Sequence, residues 1–222
     1  MGAWYHGVHV VADAALRVLL VRSCTGLEHV PREGGVIVAA NHGAFWDPPV
    51  LGATIGRELY YLTRSSFFDV PVFGGLIRSL HAIPIRQGVA DHSGLERACD
   101  VLGAGHALLV FPEGGRMKDG RLHPAHPGLG HLVSRTRVPV VPVYLSGTNR
   151  IRRCLLRRDR VRITVGTPLP ATLWSAAGGQ STRTGRDRHR SIGDRVMQEI
   201  ALLRRQQEET ARSGAAPATA SP

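Results

Sequence analysis

The fold turns on the stretch Val36-Ile37-Val38-Ala39-Ala40-Asn41-His42-Gly43-Ala44-Phe45-Trp46-Asp47-Pro48. Five apolar residues, three of them β-branched, read as a strand buried on both faces, and the polar loop after it carries a histidine followed five positions later by an aspartate. Functional groups of open α/β sheets collect at such strand ends. Gly43 lets the chain turn sharply enough for a carboxylate to fold back on the imidazole. If Asp47 accepts a hydrogen bond from one ring nitrogen of His42, the other is left unprotonated, and the pair forms a general base. Asp47 before Pro48 also has the form of a helix N-cap followed by proline at the first helical position, and one carboxylate can serve both purposes.

The layout recurs about seventy residues on, in Ala107-Leu108-Leu109-Val110-Phe111-Pro112-Glu113-Gly114-Gly115-Arg116. A hydrophobic run ends at a proline, and a polar turn follows. Gly114 and Gly115 allow backbone N–H groups to approach a ligand, Arg116 offers a planar fork for phosphate, and Glu113 can accept from a substrate hydroxyl or orient an arginine.

Around these two loops, short apolar runs alternate with helical patterns. Val36 to Ala40, Leu59 to Thr63, Ala107 to Phe111, Val140 to Val143 and Val161 to Val165 read as strands, while Pro48 to Gly56, Val72 to Leu80, His92 to Leu102 and Gly128 to Thr136 read as helices. The alternation predicts an α/β fold, a single-domain mixed sheet flanked by helices. Val8 to Val21 is apolar apart from a stripe of His9, Asp13 and Arg17 at spacing four, so an N-terminal amphipathic helix is expected over residues 1–24, packed on the core or lying in a bilayer interface. Residues 25–212 form the domain. Within it Ala176 to Arg190 is rich in Gly, Ser, Thr and Arg and reads as a mobile loop, and Ile192 to Arg212 regains helical spacing. Residues 213–222 read as a disordered tail.

Composition narrows the function. A chain of 222 residues at 43% hydrophobic builds one core, and a formal net charge of +11 attracts an anionic partner: phospholipid surface, phosphorylated metabolite or nucleic acid. Lys118 is the only lysine, so the charge is carried by arginine. The chain is 5% aromatic and has no nucleic-acid-binding module, which ranks nucleic acid last and predicts no such partner. Cys24, Cys99 and Cys154 have no paired spacing for zinc or redox chemistry, and no metal site is expected. There is no run of 18 apolar residues and no secretory leader pattern, so a soluble or peripheral protein of the cytosol is expected.

Taken together, these motifs resemble the lysophospholipid (1-acylglycerol-3-phosphate) acyltransferases, the PlsC-like enzymes of the glycerolipid pathway. Asn41, His42 and Asp47 match the family's Asn-His-x4-Asp; Ile83-Pro84-Ile85-Arg86, after Val70-Pro71-Val72-Phe73-Gly74, matches the second motif; Phe111 to Arg116 matches Phe-Pro-Glu-Gly-Thr-Arg with Gly115 in place of threonine; and Val138-Pro139-Val140-Val141-Pro142 matches Val-Pro-x-x-Pro. The four occur in order over roughly residues 25 to 170. The resemblance implies a glycerol-3-phosphate-acyltransferase-like fold. It also implies transfer of a fatty acyl group from an acyl-CoA or acyl-ACP thioester to a hydroxyl of a lysophospholipid, 1-acylglycerol-3-phosphate foremost, in phospholipid biosynthesis. By position, His42 and Asp47 would be catalytic, and Arg86, Glu113, Gly114 and Arg116 would bind substrate. No cofactor is implied beyond the thioester co-substrate, and the partner membrane would be anionic, with the protein peripheral on its inner, cytoplasmic face. Ile85 stands where an acidic residue is usual, and Ala44, Gly115 and Met117 replace hydroxyl residues, so the departures surround the acceptor rather than the base. Two other readings compete: a non-catalytic anionic-lipid binder, and an acyltransferase for a non-glycerolipid acceptor.

Overall fold

In a computed structural model, residues 20–86, 91–155, 161–176 and 185–213 are described. The central strand is β2, Val36–Ala40, all five of whose residues are fully buried, as its unbroken apolar run requires. It lies between β5 (Ala107–Val110) and β6 (Val140–Ser146), parallel to both. Beyond β5 come β3 (Leu59–Arg64) and β4 (Ala82–Ile85), also parallel. On the other side β7 (Val161–Val165) pairs antiparallel with β6, and β1 (Val21–Thr25) pairs parallel with β7. The seven strands therefore run β1-β7-β6-β2-β5-β3-β4, a mixed sheet.

Successive side chains of a strand point to opposite faces, and β2 accordingly feeds two cores. Val36, Val38 and Ala40 join Val50 and Leu51 of α1 (Asp47–Thr54) on one face. Ile37 and Ala39 face Ala98 and Leu102 of α3 (His92–Gly103), Leu129 and Leu132 of α4 (Pro127–Thr136), and Val196 and Ile200 of the long C-terminal helix on the other. Between α1 and α3 lies α2 (Phe73–Ser79). The short helices α5 (Ile151–Leu155) and α6 (Thr172–Ala176) precede the C-terminal helix α7 (Gly185–Arg212).

The structure departs from the sequence reading in four places. Val21–Thr25 is a strand, so the last residues of the segment expected to form an N-terminal helix over 1–24 join the sheet; residues 1–19, where that helix is expected, lie outside the described residues. β4 is not among the expected strands, because Pro84 interrupts a short apolar run; among the described residues it is the last strand of the sheet, where a missing N–H matters least. Residues 185–190, read as loop, are helical. Their composition is polar because only one side is covered, where α4 presses so close at Gly130 that an added Cβ would meet the carbonyl oxygen of His189 at 2.0 Å. Asp47 is the first residue of α1, whose N-cap is Trp46, and the carboxylate folds back over the preceding loop instead of capping the helix. Residues 214–222, the expected tail, also lie outside the described residues.

Candidate active site

The strand register brings the two polar loops together. Val36 pairs with Ala107 and Ala39 with Val110, a constant offset of 71, and the same offset carried past the strand ends sets His42 opposite Glu113. The backbone N–H of His42 donates to Glu113 Oε2 at 2.8 Å, and the backbone N–H of His123 donates to Oε1 at 3.1 Å. Glu113 thus ties three stretches of loop to one carboxylate, while each oxygen keeps a second lone pair. Burial pushes its carboxyl above the ordinary range, against the two N–H groups that pull it down.

Asp47, fully buried, aims Oδ2 at the loop it follows. Oδ2 accepts from His42 Nδ1, from the N–H of Gly43 and from the N–H of Ala44, each at 2.8 Å. A carboxylate acceptor assigns the proton to Nδ1 of His42, and Nε2 is then the unprotonated nitrogen, without a protein partner among the described residues. The imidazole stacks on Phe111, ring centroids 4.0 Å apart and planes 17° from parallel, so it is fixed by contact on one face and by hydrogen bonding at one edge. Asp47 Oδ1 is buried with no hydrogen-bond partner.

Asn41 works on the fold. Its side-chain amide donates to the carbonyl of Leu145 at 3.0 Å and accepts from the N–H of Leu145 at 2.8 Å, which continues the β2–β6 ladder one step past the strand and anchors the base of the loop.

His42 lines a cavity of about 2170 Å³, and Arg86, Glu113, Gly114 and Arg116 line it too. All the expected site residues except Asp47, which is behind His42, therefore border one space. Gly114 takes φ +70, a conformation that favours glycine, and a Cβ added there would lie 3.4 Å from the Cβ of His126. The lining includes the apolar side chains of Tyr61, Phe67, Phe73 and Ile77, and a second, mostly basic group of His126, His131, Arg186, His189 and Arg190 with Asp187 among them. The second group was missed in the sequence, since its residues come from α4 with its N-cap His126 and from the start of α7. Only the clustering of Arg and His over 186–190 hinted at it.

Arg86, largely exposed, leaves β4 beside Asp91, the N-cap of α3. Asp91 accepts from the N–H of Arg86, from Ser93 Oγ and from the N–H of Gly94, and its carboxyl is held down to about 2, mainly by the Arg86 N–H. An acid therefore does accompany the arginine of the second motif, contributed from five residues after it. A depressed folded-state pKa contributes stability that is present above the ordinary carboxylate value, near 4, and lost as pH falls through the folded value. Wild-type urea midpoints should fall between pH 4 and pH 2 more steeply than those of Asp91→Asn. Parallel pH profiles for the two proteins would contradict this role.

The family model described as Acyltransferase matches residues 21–146, more than half the chain and both loops. The chain belongs to the acyltransferase family. Over 151 residues it is 29% identical to a chloroplastic 1-acyl-sn-glycerol-3-phosphate acyltransferase of Brassica napus, matching 65% of this chain and 44% of that protein. Over 143 residues it is 22% identical to the 1-acyl-sn-glycerol-3-phosphate acyltransferase of Bacillus subtilis, 64% of this chain and 70% of that one. The chain thus spans under half the length of the plant relative. The crystal structure of the 1-acyl-sn-glycerophosphate acyltransferase PlsC from Thermotoga maritima superposes with a TM-score of 0.63 at 22% identity, over 88% of this chain and 79% of that one, and shares its fold. The acyltransferase fold places the carboxyl ends of β2, β3, β4 and β5 at one edge of the sheet, and the loops described above leave from that edge.

Proposed function

We propose that the protein transfers a fatty acyl group from an acyl-CoA or acyl-ACP thioester to the free hydroxyl of a lysophospholipid, 1-acylglycerol-3-phosphate foremost, in phospholipid synthesis. The observation that carries this reading is the His42 Nδ1 to Asp47 Oδ2 contact of 2.8 Å on the wall of a cavity lined by both apolar and basic side chains. Nε2 of His42 takes the proton of the acceptor hydroxyl as the oxygen attacks the thioester carbonyl. The tetrahedral intermediate collapses, the C–S bond breaks, and the proton on Nε2 passes to the departing thiolate. The hydroxyl attacks directly, so the step calls for a base and an activated donor and no cofactor. Arg86 and Arg116 hold the acceptor phosphate, Gly114 lets the backbone approach it, and Glu113, besides fixing the loops, accepts from a glycerol hydroxyl with its remaining lone pairs. The names of the plant and bacterial relatives support this acceptor.

Among the described residues no helix is long and apolar enough to cross a membrane. We place the protein peripherally, on the anionic cytoplasmic face of the cell membrane, as its charge favours.

The test is an acceptor screen with isotope-labelled acyl-CoA and, separately, acyl-ACP, read by mass spectrometry of the lipid product. Labelled diacylglycerol phosphate is expected from 1-acylglycerol-3-phosphate. Label appearing only on acceptors lacking a glycerol phosphate would overturn the acceptor assignment.

A further inference from the structure

Beside the active-site cavity the surface is apolar where a water-facing surface is ordinarily mixed. Val72 is 91% exposed, Phe45 51%, Leu76 47%, Val70 45% and Trp46 39%. Ring contacts tie the loop after β2 to α2: Phe45 meets Trp46 at 6.1 Å and Phe73 at 6.2 Å between ring centroids. Phe45, Trp46 and Leu76 also line the cavity, so the patch borders the route into the site.

Val72 is held in an unfavourable backbone. It takes φ 64, ψ −52 at the centre of a tight turn closed by the N–H of Phe73 donating to the carbonyl of Pro71 at 2.7 Å. A β-branched residue at positive φ is a steric outlier that glycine would relieve, and strain of this kind concentrates at functional sites. The valine side chain stands almost wholly in water, so internal packing does not explain why valine occupies the position.

Cations flank the patch. Arg64 lies over the Phe67 ring at 5.9 Å and Arg78 over the Phe68 ring at 5.3 Å, with Asp69 as the acid of the same segment. An apolar tip between arginines matches an anionic lipid interface, where acyl chains lie beneath negatively charged head groups. A second copy of the chain would bring the same positive charge to the same place.

We infer that the turn Val70–Phe73, with Leu76, Phe45 and Trp46, docks the protein on an anionic phospholipid bilayer. Val72 inserts below the head groups and Arg64 and Arg78 contact the phosphates, so that the cavity opens onto the membrane. The inference rests on the lipid-acceptor reading, but its test is separable from it. Co-sedimentation of the full chain with phosphatidylcholine vesicles, with and without phosphatidylglycerol, reads docking; transfer to a short-chain lysophosphatidate dispersed below its micelle concentration reads chemistry.

Val72→Gly should raise the urea midpoint by relieving the backbone, weaken binding to anionic vesicles about tenfold through loss of one inserted valine, and leave transfer to the dispersed acceptor unchanged. Val72→Asp should abolish vesicle binding. If wild type and Val72→Gly sediment alike with anionic vesicles, the inference is overturned. It is also overturned if Val72→Gly instead dissolves a dimer and leaves vesicle binding intact. Failure of wild type to acylate the dispersed acceptor would count against the proposed reaction and leave the docking result standing.

Discussion

Replacing His42 by alanine should lower acyl transfer by about 10²–10⁴, the usual contribution of a positioned general base, with the fold preserved. The imidazole is a half-buried side chain whose removal breaks one hydrogen bond and one stacking contact. The backbone N–H of His42, which holds Glu113, remains in the variant, as does its carbonyl, which accepts from the N–H of Met117 at 2.7 Å. The loop should therefore keep its shape, and the loss should fall on turnover rather than on substrate binding. Circular dichroism and the vesicle assay would verify the fold, and release of free thiol would measure the rate. A His42→Ala protein that turns over like wild type would remove the base from the mechanism.

Asp47 should give a double effect that two substitutions separate. Asp47→Ala leaves the N–H groups of Gly43 and Ala44 and the Nδ1–H of His42 without their shared acceptor. At about 1–3 kcal/mol per orphaned buried donor, partly offset by removing a buried carboxylate with an unpaired oxygen, we expect a net loss of about 2–4 kcal/mol in stability, together with loss of activity. Asp47→Asn keeps an oxygen where Oδ2 lies and should retain most of the stability. It lacks the negative charge that stabilises the imidazolium, so its rate should still fall by about 10²–10⁴. Equal destabilisation by the two variants, or full activity in Asp47→Asn, would contradict this division.

Much of the site could be read before the structure, and the reason is the parallel sheet. A short unbroken apolar run bounded by polar turns, such as Val36 to Ala40 or Ala107 to Val110, favours a buried strand, and parallel strands deliver the residues that follow them to one edge. His42, Glu113, Arg86 and Arg116 therefore came together on one cavity although they are far apart in sequence. The missed features depend on tertiary context. Nothing local distinguishes Asn41 as a bridge to Leu145, because the contact spans 104 residues. Val21–Thr25 becomes a strand only when β7 is beside it, and its valine fitted a helical stripe as well. The mostly basic part of the cavity lining comes from α4 and the start of α7, where polar composition resembles that of a loop. The strain at Val72 is invisible in sequence, since nothing local marks the positive φ that the turn imposes on it.

Direct transfer through a base makes a specific demand on thiol release. Acyl-CoA mixed with wild-type protein should yield no free thiol beyond background until a hydroxylated acceptor is added, then thiol and acylated lipid in equal amounts, with both formed about 10²–10⁴ times more slowly in His42→Ala. A burst of thiol equal to the protein concentration without acceptor, with the acyl group retained on the chain, would contradict the account.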